Sequence, residues 1–343
     1  MAARNQFVNG ERAAQTAFCK SSDTFSPAAK NGGDFRGTRY DFLLSPEMQR
    51  ENLYPGIREQ AEAYFGDAKN PIVWHRMRRH LLSSQVCCLN FLMPFSYEPE
   101  ALAKLLLPVI GPGAEMQSFP ANDVPCRPTF VAFEWTGHGS YLNEVRAGGK
   151  LTRGANCTSA DAAVMFTQAG RREMLLIEWK YTEAYGAALT GGVEANRTRE
   201  SRYQKITFEP DGPIYSDLGL SVQSFFYEPF YQFLRQQILA FQLQKAHELE
   251  CDRVRVLHIA PNVNRAFRRV TAPLLRCFGE DAIAVWLCLL KDKTAFISMT
   301  TESLFGSFDA APWPRLADWQ RYVTRRYAGI LNLSTTASAP LLP

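Results

Sequence analysis

The chain has 343 residues, enough for one large domain or two moderate ones whose core needs no disulfide or metal staple. Its composition, 46% apolar, 21% charged and 12% aromatic, is that of an ordinary soluble protein. The formal charge of +4, from 38 basic and 34 acidic residues, is too small to demand a polyanionic partner.

Residues 1–38 are polar and rich in Gly, Ser and Ala without sustained periodicity, which predicts a loose N-terminal lead-in. Residues 39–127 form a helical region expected to pack on the core. Within it, Asn70-Pro71 is a helix start, and Val73, Met77, Leu81, Leu82 and Val86 follow at helical spacing. The Gly- and Pro-rich stretch 108–127 is a connector.

The period changes in residues 128–330. Strands are predicted over 129–135, 160–167, 174–181 and 254–259. A polar loop over 186–219 precedes a helix over 224–250. That helix carries Phe226, Phe230, Phe233, Leu234, Ile238 and Phe241, an aromatic stripe that predicts core packing rather than a base-stacking face. Two or three further helices surround a short strand over 294–299. The order implies an α/β or α+β fold with a mixed sheet.

Other features narrow the chemistry. No hydrophobic segment opens the chain, and its longest apolar runs, such as 282–290, fall far short of a membrane span. A cytoplasmic protein with reduced thiols is therefore expected, and the eight cysteines fit no metal-ligand spacing. The histidines are scattered, no serine lies in a G-x-S-x-G context, and no phosphate-binding G-x-x-x-x-G-K-[ST] loop is present. Arginines cluster at 76–79, 197–205 and 265–269, an arrangement that suits either solvated faces or a nucleic-acid surface.

Residues 175–183, LLIEWKYTE, concentrate the question of function. On a strand, Glu178 and Lys180 project to one face and Trp179 to the other. They are either a solvated ion pair of little weight or part of a site. The preceding sequence, ADAAVMFTQAGRREMLLIEWKY, reads as a hairpin; a turn centred between Ala169 and Gly170 would set Asp161 opposite Glu178, and a one-residue shift of the turn would undo that pairing, since sequence does not fix the register. Facing carboxylates repel unless a cation sits between them. Their hard oxygen ligands suit Mg²⁺ or Mn²⁺, with Lys180 placed to orient water or stabilise charge on a phosphoryl oxygen. That chemistry is metal-assisted phosphodiester hydrolysis.

Asp161, a hairpin and then Glu178-Trp179-Lys180 resemble the PD-(D/E)XK nuclease superfamily. GANCTSADAAVMF, MLLIEWKYTEAYG and YEPFYQFLRQQILA resemble a restriction-endonuclease-like subgroup of it, over about 130–260 and, through SSQVCCLNFLMPF, into the N-terminal helices. The resemblance implies a restriction-endonuclease-like α/β core and a Mg²⁺- or Mn²⁺-dependent deoxyribonuclease with DNA as its partner. It implies Asp161 and Glu178 as metal ligands, the main-chain carbonyl of Trp179 as a further contact, and Lys180 as the catalytic lysine. It also implies an upstream acid, for which Glu144 is preferred to the strand-borne Glu134. Gln232 and Gln236, one helical turn apart, are candidates for site support or DNA contact, and Arg197, Arg199 and Arg202 for phosphate contact. The Q-x-x-x-Y pattern of some relatives is not met on the main helix, where Gln237 precedes Phe241; Gln223 to Tyr227 matches it at the helix start. The alternative is a non-cleaving nucleic-acid-binding or scaffold protein on the same fold.

Overall fold

The computed structural model describes residues 2–68, 72–124, 128–144, 153, 157–183 and 188–331. The lead-in expected to be loose is instead the 20-residue helix α1 (Ala2–Ser21). Partners remote in sequence hold it, which no local periodicity could reveal. Gln15 Nε2 donates to the Arg326 carbonyl at 2.8 Å, and Arg326 Nε donates back to Gln15 Oε1 at 2.9 Å. Strands β1 (Gly33–Phe35) and β2 (Thr38–Tyr40) then form a small separate ribbon, followed by helix α2 (Arg58–Phe65).

The helix expected across Val73–Val86 is a second correction. Its proposed start at Asn70-Pro71 lies outside the described residues, and helix α3 begins only at Ser84 (Ser84–Leu92), capped by Ser83. Tertiary bonds override the helical spacing. Trp74 stacks on Phe65, and the Asn52 amide donates to the carbonyls of Arg78 and His80. Val73 and Met77 are left 42% and 37% exposed. Helix α4 (Pro99–Ile110) closes the helical region.

Six strands form the main sheet: β3 (Glu115–Gln117), β4 (Ala132–Trp135), β5 (Ala160–Gln168), β6 (Arg171–Trp179), β7 (Arg253–Ala260) and β8 (Phe296–Thr300). The order is β3-β5-β6-β7-β8, with β4 pairing β5 beside β3. Strands β5 and β6 are antiparallel, whereas β6, β7 and β8 run parallel. This is the mixed sheet flanked by helices that the sequence predicts.

Between β6 and β7 the polar segment read as a loop contains helix α5 (Gly192–Thr207), followed by α6 (Phe230–Lys245). Polarity disguised α5, whose buried Tyr203 and Thr207 alone face inward. On α6, Phe230, Phe233, Leu234 and Ile238 are fully buried, so the aromatic stripe is core. Helices α7 (Ala282–Leu289), α8 (Thr301–Phe305), α9 (Pro314–Arg326) and α10 (Ala328–Leu331) complete the fold.

Helix α6 covers one face of the sheet, where Phe233 meets His258 of β7 at 5.5 Å between ring centroids. On the other face Trp179 packs against Phe91 of α3 and Phe305 of α8. Covering both faces explains why β5, β6 and β7 read as near-continuous apolar runs. It also makes any charge on them conspicuous.

Candidate active site

The site begins with a turn. Ala169 and Gly170 have φ of 49° and 76°, the left-handed pair that a tight two-residue hairpin turn requires and that glycine accepts without a Cβ clash. Gln168 therefore faces Arg171, and the ladder runs in register to Ala162 opposite Ile177. Asp161 and Glu178 are the next opposed positions, as the turn predicts. On the far side of β5, Phe133 pairs Ala162 and Trp135 pairs Ala160, which sets Glu134 opposite Asp161. In the other direction Glu178 aligns with His258, and His258 with Ser298. One polar row, Glu134-Asp161-Glu178-His258-Ser298, thus crosses a largely apolar sheet, whose other end holds the buried ion pair of Glu173 and Arg255.

Glu178 and Lys180 are not a solvated edge pair. Lys180 Nζ stands 2.5 Å from Glu178 Oε1, and the two side chains are only 8% and 7% exposed. The other Glu178 oxygen accepts from Gln236 Nε2 at 2.6 Å, and the same amide reaches the Ser159 carbonyl at 2.9 Å. Asp161 Oδ2 accepts from the Trp179 amide at 2.7 Å, which ties the two strand ends together where ladder pairing stops. Burial, then the Glu178 carboxylate and more weakly Glu134, push the Asp161 carboxyl well above the usual range, against the pull of Lys180 and the Trp179 amide.

Glu134 belongs to this group, and Glu144 does not. Glu134 has φ of 52°, a left-handed conformation that a non-glycine residue adopts at a cost and that tends to mark functional sites. Its carboxylate accepts from Gln85 Nε2 at 2.7 Å and from Ser159 Oγ at 2.6 Å, with His75 Nε2 at 3.5 Å. Together with Asp161, Glu134 lines a small cavity closed by Phe65, Gln85, Cys88 and Leu89. Glu144 is committed elsewhere, to the Thr158 amide and hydroxyl and the Tyr203 hydroxyl. The preference for Glu144 over Glu134 finds no support in these bonds, since the pairing of β4 with β5 sets Glu134 and not Glu144 opposite Asp161.

The remaining predicted residues divide. Gln236 stands on the site, while Gln232, one turn earlier on α6, is half-buried. Gln223 is drawn to Glu200 at 2.9 Å, away from the row. Arg197, Arg199 and Arg202 lie on helix α5 rather than in a loop. Arg197 pairs with Glu194, and Arg199 donates to Asn196 Oδ1 and the Thr190 carbonyl. The Trp179 carbonyl accepts from Ser84 Oγ at 3.3 Å. Gln85, Ser159 and His75 were not anticipated. The signal for Gln85 was a polar residue within the buried, apolar helix α3.

His258 is neutral: burial, then Lys180 and Arg268, push its imidazole down to about 3. Among the described residues no three His, Cys, Asp or Glu side chains form a ready-made metal cage. The donors present are hard anionic oxygens on Asp161 and Glu178 with a main-chain carbonyl beside them. Such a set of oxygen donors fits Mg²⁺ or Mn²⁺, ions that keep several waters of their own.

No curated protein matches the chain, and no solved structure does. The family described as Restriction Endonuclease associating with ARP matches residues 12–328.

Proposed function

The chain belongs to that restriction-endonuclease-associated family, and on this premise we propose that it is a PD-(D/E)XK-type, metal-dependent nuclease that hydrolyses DNA phosphodiester bonds. One observation supports the reading: the buried Asp161 carboxyl feels both Glu178 and Glu134, and the buried Lys180 ammonium stands 2.5 Å from Glu178. An apolar sheet gains nothing from such a group, because burying like charges costs stability. A site that receives a divalent cation and a phosphate explains why the cost is borne.

Asp161, Glu178 and the Trp179 carbonyl would hold the cation. When bound, it supplies the Lewis acidity that phosphodiester hydrolysis needs. Gln236 fixes the Glu178 carboxylate by bonding one of its oxygens and the Ser159 carbonyl together. Lys180 offers its ammonium to charge developing on a non-bridging phosphate oxygen. Glu134, held by Gln85 and Ser159, adds negative charge beside Asp161 and strengthens the site's pull on a cation.

Purified protein with Mg²⁺ or Mn²⁺ on linear, circular and single-stranded DNA, beside Asp161→Asn, tests the proposal. Cleavage that needs the metal and disappears in Asp161→Asn is expected. Metal-independent cleavage, or cleavage undiminished in the variant, refutes the mechanism. Salt-sensitive DNA binding by wild-type protein without cleavage assigns the chain to the non-cleaving alternative.

A further inference from the structure

Two exposed segments, far apart in sequence, stand at the rim of the polar row, and each is tied to it by a buried amide. Gln85 accepts from the His75 amide at 3.0 Å while donating to Glu134, which fixes residues 73–77 over β4. Asn264, 3% exposed, donates to the Tyr181 and Glu183 carbonyls just beyond Lys180, which fixes residues 262–265 at the ends of β6 and β7. The carboxyl ends of parallel strands are where open α/β sheets take their ligands.

The two rims share a composition. Arg76 and Arg265 are exposed and make no side-chain bond with the described residues. Beside them stand exposed apolar side chains, Val73 and Met77 at 42% and 37% on one rim and Val263 at 48% on the other. Three other arginines of the same clusters serve the fold. Arg78 lies over Trp74 and reaches Glu62, Arg79 holds the Leu44 and Asp34 carbonyls, and Arg268 pairs with Asp281. Arg76 and Arg265 are thus uncommitted cations that flank the carboxylate row, and Arg269 is a further one in the second cluster.

We propose that these rims are two lips that grip a DNA duplex across one groove, with Arg76 and Arg265 on phosphates of opposite strands and Val73, Met77 and Val263 against the sugars. This rests on the nuclease reading for the identity of the row and goes beyond it in naming the grip. The lips stand over β4 and over β6 and β7, two to three inter-strand spacings apart, roughly 10–14 Å. That separation is close to the width of a major groove, about 12 Å. The positive lips complement the phosphates, and the negative row between them faces the backbone only once a divalent cation neutralises it.

Equilibrium binding of a 30-base-pair linear duplex and of its single strand, without metal and over a range of salt, tests the grip. Arg76→Gln and Arg265→Gln should each flatten the slope of log K against log salt by about 0.9, and the double variant by about twice that. Arg315→Gln, on the remote N-terminus of α9, should leave the slope at its wild-type value, with thermal melts confirming that every variant is folded. A double variant with the wild-type slope overturns the proposal, and so does tighter binding of the single strand than of the duplex. Cleavage by wild-type protein is scored separately. Lip-dependent binding without cleavage retains the grip and refutes the nuclease; cleavage with lip-independent binding does the reverse.

Discussion

Replacing Lys180 by alanine measures how deeply the site is built into the fold. Were Glu178 and Lys180 a surface pair, losing the lysine would cost roughly 0–1 kcal/mol. Their side chains are instead 8% and 7% exposed, with Nζ 2.5 Å from the carboxylate. Removing one partner of a buried pair leaves the other charge uncompensated and typically costs about 3–5 kcal/mol. Here the stranded Glu178 would keep only the Gln236 amide, and it would sit beside Asp161 with no intervening cation. The expected loss at pH 8 is therefore about 3–5 kcal/mol, read from urea unfolding followed by tryptophan fluorescence. Adding Glu178→Gln should recover much of it, because the uncompensated charge is then gone, and the double-mutant cycle should show a coupling of about 1–3 kcal/mol. A Lys180→Ala variant within about 0.5 kcal/mol of wild type, the range of ordinary surface substitutions, would refute the burial argument.

Asp161→Asn should abolish cleavage while raising stability in metal-free buffer above neutral pH. The wild-type carboxyl has a folded pKa raised by burial and Glu178, so ionising it costs stability at high pH, and that cost fades as pH falls through the raised value. Melting curves at pH 8 with a chelator check this, and a variant that melts below wild type contradicts it. His80 is pushed down to about 4 by burial and then Arg12, and its Nδ1 accepts from the Leu82 amide at 3.0 Å. The unfolded chain therefore binds the proton first, and the stability this imidazole supports is full above pH ~6.5 and is lost as pH falls toward 4. The melting temperature of wild type relative to His80→Gln should drop over that window; a constant difference would show that His80 does not titrate with folding. Arg326→Met should cost about 3–5 kcal/mol in urea unfolding, as a broken buried polar network does. It removes bonds to Gln15, both oxygens of Asn52 and the Tyr322 hydroxyl at once. A loss under about 1 kcal/mol would mean that water replaces those bonds.

What was legible in the sequence was short-range. The hairpin around Ala169-Gly170 and its apolar strands were legible, while the register that sets Asp161 opposite Glu178 came with the left-handed turn in the fold. The i, i+2 spacing of Glu178 and Lys180, the core stripe of α6 and the mixed α/β order depend likewise on neighbours within a few residues. Among the described residues no helix is long and apolar enough to cross a membrane, and the absence of long apolar runs had said as much. Packing decided the rest. Helix α1 and the non-helical course of residues 72–82 depend on Arg326 and Asn52, partners that periodicity cannot see. The choice between Glu134 and Glu144 turned on which segment paired with β5 and on one left-handed residue in β4. Whether Glu178 and Lys180 were a solvated pair or a buried one was undetermined until α6 lay over them. Alternation along a strand tells which side chains share a face, but only the layer packed on that face tells whether water reaches them.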